Sequence, residues 1–237
     1  KTPYTQQPFE IFSKLQAKYK HAYILESIEG PKKLAQYSFI GFDPAITIQA
    51  KNHQATIHNQ KTGETTTQNT SDPLALIEAL LKPKTVFNRE FRLVGGAVGY
   101  ISYDAVRYWE KLPAKACCDL DFPDVEMGIY DDGFLYDHVR RQALYYYQEE
   151  NRLSEVARLL KKPVDHGTLG YAEPKANVSK ERFEHAVEQA KQYVTAGDIF
   201  QVVLSKRYQF QFKGNLIPFY EALRRINPSP YMYYYKA

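Results

Sequence analysis

Phe9, Phe12, Leu15 and Tyr19 recur at helical spacing, which predicts a first helix over about residues 8–19. Ala22 to Ser27 then reads as a strand, closed by a turn at Gly30-Pro31. Short strands are expected over Tyr37–Phe42, Ile46–Ala50 and Ala55–His58, with turns at Asn52, Lys61 to Gly63 and Asn69 to Asp72. Asp72 as cap and Pro73 at the first helical position predict a helix to about Leu81. Phe91 to Tyr100 has the pattern of a glycine-rich strand leading into a helix near Tyr103 to Glu110. Met127–Tyr130, Phe134–Val139 and Ala143–Gln148 resemble an antiparallel meander.

Further along, Lys161 to Ala176 holds Pro163, Gly167, Gly170 and Pro174 with little periodic pattern, and reads as a linker. Ser179 is placed to cap a helix whose stripe of Phe183, Ala186, Val187, Ala190, Tyr193 and Val194 stops at Gly197. The period then becomes two. Phe200, Val202, Leu204, Tyr208, Phe210 and Phe212 share one face, while Gln201, Ser205, Arg207, Gln209 and Gln211 share the other. Only Val203 and Lys206 break this alternation, so one long strand with a wet face is expected. A helix near Ile217–Ile226 and a strand from Tyr231 follow. Many short strands, few helices and no regular βαβ alternation define an α+β class built on antiparallel sheet. The organisation expected is a region over 1–162, a linker over 163–178 and the start of a second region over 179–237. There is no initial Met, and the last residues, Tyr233 to Ala237, read like an interrupted strand, so a longer chain is expected.

Composition narrows the class without naming a function. The chain is 44% hydrophobic and 24% charged, which suits a globular protein with a real core. No apolar run approaches membrane-spanning length and no signal segment follows Lys1, so a cytoplasmic location is expected. A formal charge of +4 with scattered Lys and Arg does not make a nucleic-acid footprint. The 20 tyrosines fall largely in β-like runs, where half-buried aromatics are ordinary. Adjacent Cys117 and Cys118 lack metal-ligand spacing and read as reduced thiols.

Candidate chemistry is sparse. Gly95-Gly96-Ala97-Val98-Gly99-Tyr100 misses the spacing of a dinucleotide loop and sits in an apolar strand pattern, where close backbone approach explains the glycines. The six histidines form no ligand pair, and the acidic groups Asp119/Asp121/Asp124 and Asp131-Asp132 lack the oxygen ladder of a calcium loop. No serine sits in a nucleophile elbow, and Asn177-Val178-Ser179 is better read as a helix start than as a glycosylation acceptor. No catalytic constellation can be assembled from these residues.

Several stretches in order nevertheless resemble the large subunit (component I) of anthranilate synthase. Leu25-Glu26-Ser27 with Tyr37-Ser38-Phe39-Ile40-Gly41 is similar to its "LLES…YSFIG" region. Gly95 to Tyr100, with Tyr103-Asp104 and Arg107-Tyr108, resembles its "GGxVGYxxYDxVRYxE" block, and Tyr136-Asp137-His138 its "DH" strand end. The most specific match is Ala196-Gly197-Asp198-Ile199-Phe200-Gln201-Val202-Val203-Leu204-Ser205 together with Arg224-Arg225-Ile226-Asn227-Pro228-Ser229-Pro230-Tyr231-Met232. Ile24 replaces the first leucine of the early motif, Gln36 stands where an arginine is usual, and Lys206 interrupts the apolar phase.

The resemblance implies antiparallel sheets packed as a sandwich with helices outside, truncated to an N-terminal portion. It implies a chorismate-utilising lyase of tryptophan biosynthesis, in which ammonia from a glutamine amidotransferase partner (component II) is added to chorismate. Pyruvate is then lost to give anthranilate, with Mg²⁺ gripping the substrate carboxylate. The family's catalytic and Mg²⁺-binding residues would fall beyond Ala237, so no catalytic or metal residue is assigned and this chain alone is expected to be inactive. The family's site for the feedback inhibitor L-tryptophan would fall on Leu25, Glu26, Ser27, Asn227, Pro228, Ser229, Pro230, Tyr231 and Met232. Glu26 and strand-edge carbonyls suit an ammonium, hydroxyls and N–H groups a carboxylate, and Pro230, Tyr231 and Met232 an indole. Aminodeoxychorismate synthase component I, of the folate branch, remains an alternative, as does a non-catalytic tryptophan-binding module.

Overall fold

The computed structural model describes residues 6–30, 35–81, 91, 93–113, 119–163 and 165–237. Cys117 and Cys118, Pro31 and Lys32-Lys33 lie outside the described residues. The chain divides into two units, one made of residues 1–165 with 223–237, the other of residues 166–222. This differs from the division read along the sequence, because the final segment returns to the first unit instead of extending a second region.

The first unit begins with α1 (Pro8–Lys18), whose first turn is supported by Pro8 and by Glu10, which accepts from the Gln7 backbone N–H at 3.4 Å. Strands β1 (Ala22–Glu26), β2 (Tyr37–Phe42), β3 (Ile46–Lys51), β4 (Gln54–Asn59) and β5 (Thr65–Asn69) follow. Helix α2 (Pro73–Leu80) starts as the sequence predicts: Asp72 Oδ1 accepts from Leu74 N at 3.0 Å and Ala75 N at 3.1 Å. Then come β6 (Gly96–Ile101), a 3-10 helix (Tyr103–Tyr108), β7 (Val125–Tyr130), β8 (Asp132–Asp137), β9 (Gln142–Tyr147) and α3 (Leu153–Leu160). The strand expected from Phe91 starts only at Gly96, and Arg92 lies outside the described residues.

In the second unit, β10 (Leu169–Tyr171) and β11 (Lys175–Ala176) fall in the stretch read as linker. Helix α4 (Lys180–Ala196) is capped by Ser179 Oγ, which accepts from Arg182 N, and ends at Gly197 in the left-handed conformation. Strands β12 (Tyr208–Gln209) and β13 (Phe212–Gly214) pair with β11 and β10 respectively. Helix α5 (Ile217–Ile226) begins in this unit and its last turn belongs to the first, where β14 (Met232–Lys236) completes the chain. The single long strand expected over 200–212 is not formed: residues 201–206 carry strand alternation but no ladder partner among the described residues, and pairing starts at Arg207, whose carbonyl accepts from Asn177 N at 2.9 Å.

Two antiparallel five-stranded sheets make the first unit, one in the order β14-β1-β2-β8-β9 and the other β5-β4-β3-β7-β6. The architecture is therefore α+β with antiparallel sheets and flanking helices. The meander expected over residues 127–148 is split, since β7 lies in one sheet and β8 and β9 in the other. Hydrophobic period describes a strand's faces and is silent on which sheet it joins.

Alternation along β1 aims Ile24 and its partner Tyr234 at α1, where the Tyr234 ring meets Phe12 at 5.3 Å. Tyr23, on the opposite face, packs edge-on to Tyr130 of the other sheet at 4.8 Å. Burial pushes the Tyr23 and Tyr146 phenols up, so both stay neutral. The second sheet builds its own core with α2 from Ile48, Ala50, Ala55, Ile77, Ala105, Val125 and Ile129. Lys236 closes the far end of α1 by donating to the carbonyls of Gln16 at 2.6 Å and Tyr19 at 3.0 Å.

Candidate ligand site at the join of β1 and β14

The first and last strands of the first unit pair antiparallel, with Leu25 opposite Tyr233 and Glu26 opposite Met232. Past the ends of these strands the contact continues through side chains and backbone. Ser27 Oγ donates to the Pro230 carbonyl at 2.7 Å, and Ile28 N donates to the Ser229 carbonyl at 3.2 Å. Ser229 Oγ accepts from Tyr231 N at 3.2 Å, which shapes the turn after α5 as an ST-type turn. Pro230 sits against Gly30, whose positive φ of 140° and bare Cα let the proline ring approach; a Cβ there would lie 3.2 Å from Pro230 Cβ. Asn227 closes α5 through its N–H to the Leu223 carbonyl at 2.9 Å. All nine residues singled out in the sequence therefore come from two segments that the fold makes neighbours.

They do not all face the same way. Leu25 lies on the face of β1 shared with Tyr23, and Glu26 on the face turned to α1. The Glu26 side chain is buried, and its carboxylate is held by both arms of Arg224, Nε to Oε1 at 2.7 Å and Nη2 to Oε2 at 3.1 Å. The same guanidinium lies over the Phe9 ring at 4.6 Å. Glu26 is thus engaged structurally, not presented as an open acceptor for an ammonium group. Arg224 escaped the sequence reading. The clue was the Arg224-Arg225 pair at the end of an amphipathic helix, a position that usually signals only compensation of the helix dipole.

Two residues do offer themselves to a ligand. Tyr231 and Tyr233 are exposed, and Met232 between them is buried, as strand alternation requires. Among the described residues β14 is an edge strand, with β1 on one side and no second strand on the other. Aromatic surface beside a strand edge and a hydroxyl-bearing turn has the elements needed to hold a small zwitterion with an apolar side chain.

A second polar pair lies one strand over on the α1 face. Buried Ser38 Oγ sits 2.8 Å from His138 Nε2, and the imidazole stacks on Tyr136 at 6.5 Å. Gln36, in the position where an arginine is usual, donates to Tyr37 Oη at 2.8 Å and Asp137 Oδ2 at 3.4 Å, so a neutral amide serves that strand end. Burial pulls the His138 imidazole below its ordinary value of 6.5, against the opposing fields of Glu26 and Asp137. His21 is lowered as well, first by burial and then by Lys20, with Glu126 and Asp43 opposing.

A histidine depressed in the folded state binds fewer protons there than in the unfolded chain below pH 6.5. Stability therefore holds above that value and declines as pH falls from it through the folded-state value. Urea unfolding at pH 8, 7, 6 and 5.5 is expected to show this decline, and His138→Gln to flatten part of it. An equal slope in the variant would remove His138 as the cause.

The model of a family described as chorismate binding enzyme matches residues 3–237. Anthranilate synthase component 1 of Methanothermobacter marburgensis is 37% identical over 231 residues, covering 98% of this chain and 48% of the relative. The chloroplastic anthranilate synthase alpha subunit 2 of Oryza sativa subsp. japonica is 32% identical, covering 91% of this chain and 42% of its own. Anthranilate synthase component I from Streptococcus pneumoniae TIGR4 shares the fold, with a TM-score of 0.66 at 24% identity over 85% of this chain and 47% of that one. The α+β fold and the family match agree, and the chain belongs to the chorismate-binding enzyme family. It spans about half the length of the curated relatives it matches.

Proposed function

We propose that this chain is the inhibitor-binding half of an anthranilate synthase large subunit. The whole enzyme would add ammonia, delivered by a glutamine amidotransferase partner, to chorismate and release pyruvate, forming anthranilate in tryptophan biosynthesis. L-Tryptophan would bind at the join of β1 and β14 and restrain that reaction. The family match and the names of the relatives support the chorismate chemistry. The observation that carries the regulatory reading is the Ser27 Oγ to Pro230 carbonyl bond, which ties together segments 203 positions apart.

In this reading the nine residues divide the work. The Glu26–Arg224 pair and the Ser27–Pro230 bond hold the two segments in register, so the ligand does not have to organise them. The edge of β14 and the Ser229 turn meet the polar ends of the amino acid, and Leu25, Pro230 and Tyr231 line its ring. Binding there would couple the first strand of the unit to its last. Mg²⁺, which the family resemblance implies, finds no fit here: among the described residues no three His, Cys, Asp or Glu side chains are placed to hold a metal ion.

Calorimetry with L-tryptophan tests the site directly. The chain is expected to bind, and Ser27→Phe, which removes the bond and crowds the Pro230 carbonyl, is expected to weaken binding by about 100-fold or more. Unchanged circular dichroism would show the variant folded. Absence of binding by the unaltered chain would end the regulatory reading, and undiminished binding by folded Ser27→Phe would move the ligand elsewhere. Incubation of the chain with chorismate, Mg²⁺ and ammonium is expected to yield no anthranilate. A full-length protein yielding aminodeoxychorismate would instead place the chain in the folate branch.

A further inference from the structure

The second unit carries apolar surface that its own fold does not cover. Helix α4 runs for 17 residues without a buried one, although Phe183, Val187, Ala190 and Val194 repeat along one face. Beside this face, residues 201–207 lie outside any helix or strand. The two border a groove of about 770 Å³ whose walls include Phe183, Val187, Ala190, Val194, Val202 and Leu204. Phe200 is fully exposed at 101% and Val203 is 79% exposed. Apolar patches of this kind in a folded protein mark places where another surface sits.

Its chemistry says what kind of surface. Phe200, Val202 and Leu204 alternate with Gln201 and Ser205 in the pattern of a strand with one dry face, yet backbone pairing begins only at Arg207, whose carbonyl accepts from Asn177 N. A helix partner would bury the α4 stripe and leave this backbone unpaired. An extended strand would satisfy both, pairing with residues 199–206 and laying its alternate apolar side chains onto α4.

We propose that residues 199–206 form a strand upon pairing with a strand from the half of a chorismate-binding family chain that this sequence does not match. The relatives supply that occupant: each carries about as much chain again as the part aligned here. The inference concerns assembly of the fold, and it stands whether or not tryptophan is the ligand of the first unit.

The test co-expresses this chain with the unmatched half of the Methanothermobacter marburgensis relative and follows amide hydrogen exchange by mass spectrometry. A one-to-one complex is expected, with exchange in residues 199–206 slowed by about tenfold or more. Val194→Asp with Val203→Asp, both at exposed positions, is expected to abolish complex and slowing together while circular dichroism is unchanged. Overlapping peptides spanning the same half provide a second measurement, in which binding is expected to concentrate in segments of strand-like alternation. Copurification that survives the two charges, exchange that does not slow, or failure of every peptide to bind would overturn the proposal. Slowing that depends on the concentration of this chain alone would also overturn it, since a second copy would then be the occupant.

Discussion

Arg152→Leu is expected to lower the stability of the first unit by about 3–5 kcal/mol, read as a shift in the urea midpoint without a change in slope. The guanidinium binds Asp132 twice, Nη2 to Oδ1 at 2.6 Å and Nε to Oδ2 at 3.1 Å, and reaches Asp43 Oδ2 with Nη1 at 2.6 Å. Its plane rests over the Phe42 ring at 5.0 Å, so the change also removes packing. Burial works to lower the Arg152 guanidinium, but Asp132 and Asp43 more than offset it and leave it raised. Asp132 is buried, and without Arg152 it keeps only the Tyr145 hydroxyl as a donor in this cluster. The cost arises from that stranded charge, not from the intrinsic worth of the pair. Arg152→Leu combined with Asp132→Asn should recover a large part of the loss. If the double variant is as unstable as the two single effects added together, the stranded-charge account fails.

Gly133→Ala is expected to be comparably damaging despite adding a single methyl. A Cβ at this position would lie 2.2 Å from the Ile40 carbonyl oxygen and 2.6 Å from Tyr146 Oη. The first of these is backbone within the β2–β8 ladder, where Gly41 pairs with Gly133 and Ile40 with Phe134. It can yield only by opening strand pairing at the centre of a five-stranded sheet. Overpacking in cores costs about 1–3 kcal/mol, and the upper end applies where rigid backbone is struck. Thermal unfolding would show the loss, and an alanine variant as stable as the parent would mean that β2 and β8 can part without cost. A milder result with Gly63→Ala, which meets nothing within 4 Å, provides the control, although its positive φ of 74° adds some strain of its own.

Neither residue stood out in the sequence, and the reasons differ from those for what did. Helix α4 was legible from both ends because its signals are local: Ser179 caps, the apolar stripe repeats, and Gly197 stops it. The Asp72-Pro73 start of α2 was legible for the same reason. Strand β5, all Thr, Gln and Asn, has no apolar alternation to reveal it and exists because β4 offers a ladder. Helix α3 is short, and its start depends on Asn151 Oδ1 accepting from Leu153 N, a weak local sign. Residues 200–206 show the opposite failure, with strand alternation present and no ladder partner among the described residues of the second unit. As for the candidate site, periodicity could place Leu25 and Met232 on strands, but nothing local joins them. Only the family resemblance put the two segments side by side, and the β1–β14 register agrees with that pairing. That Glu26 turns away to Arg224 depends on strand facing and helix placement together, which no motif records.

The return of β14 to β1 has a consequence for how such a chain is born. At a synthesis rate of about 5–20 residues per second, roughly ten to forty seconds separate the appearance of β1 from that of its outer neighbour. Throughout that interval β1 can pair with β2 but keeps one open edge of Ala22 to Glu26, apolar except at its end. Closing a loop of this length is entropically slow, and the outer edge of β1 is covered only once Met232 to Lys236 has emerged. The open edge of β1 is therefore exposed to strand-to-strand aggregation until residues 232–236 have emerged to cover it.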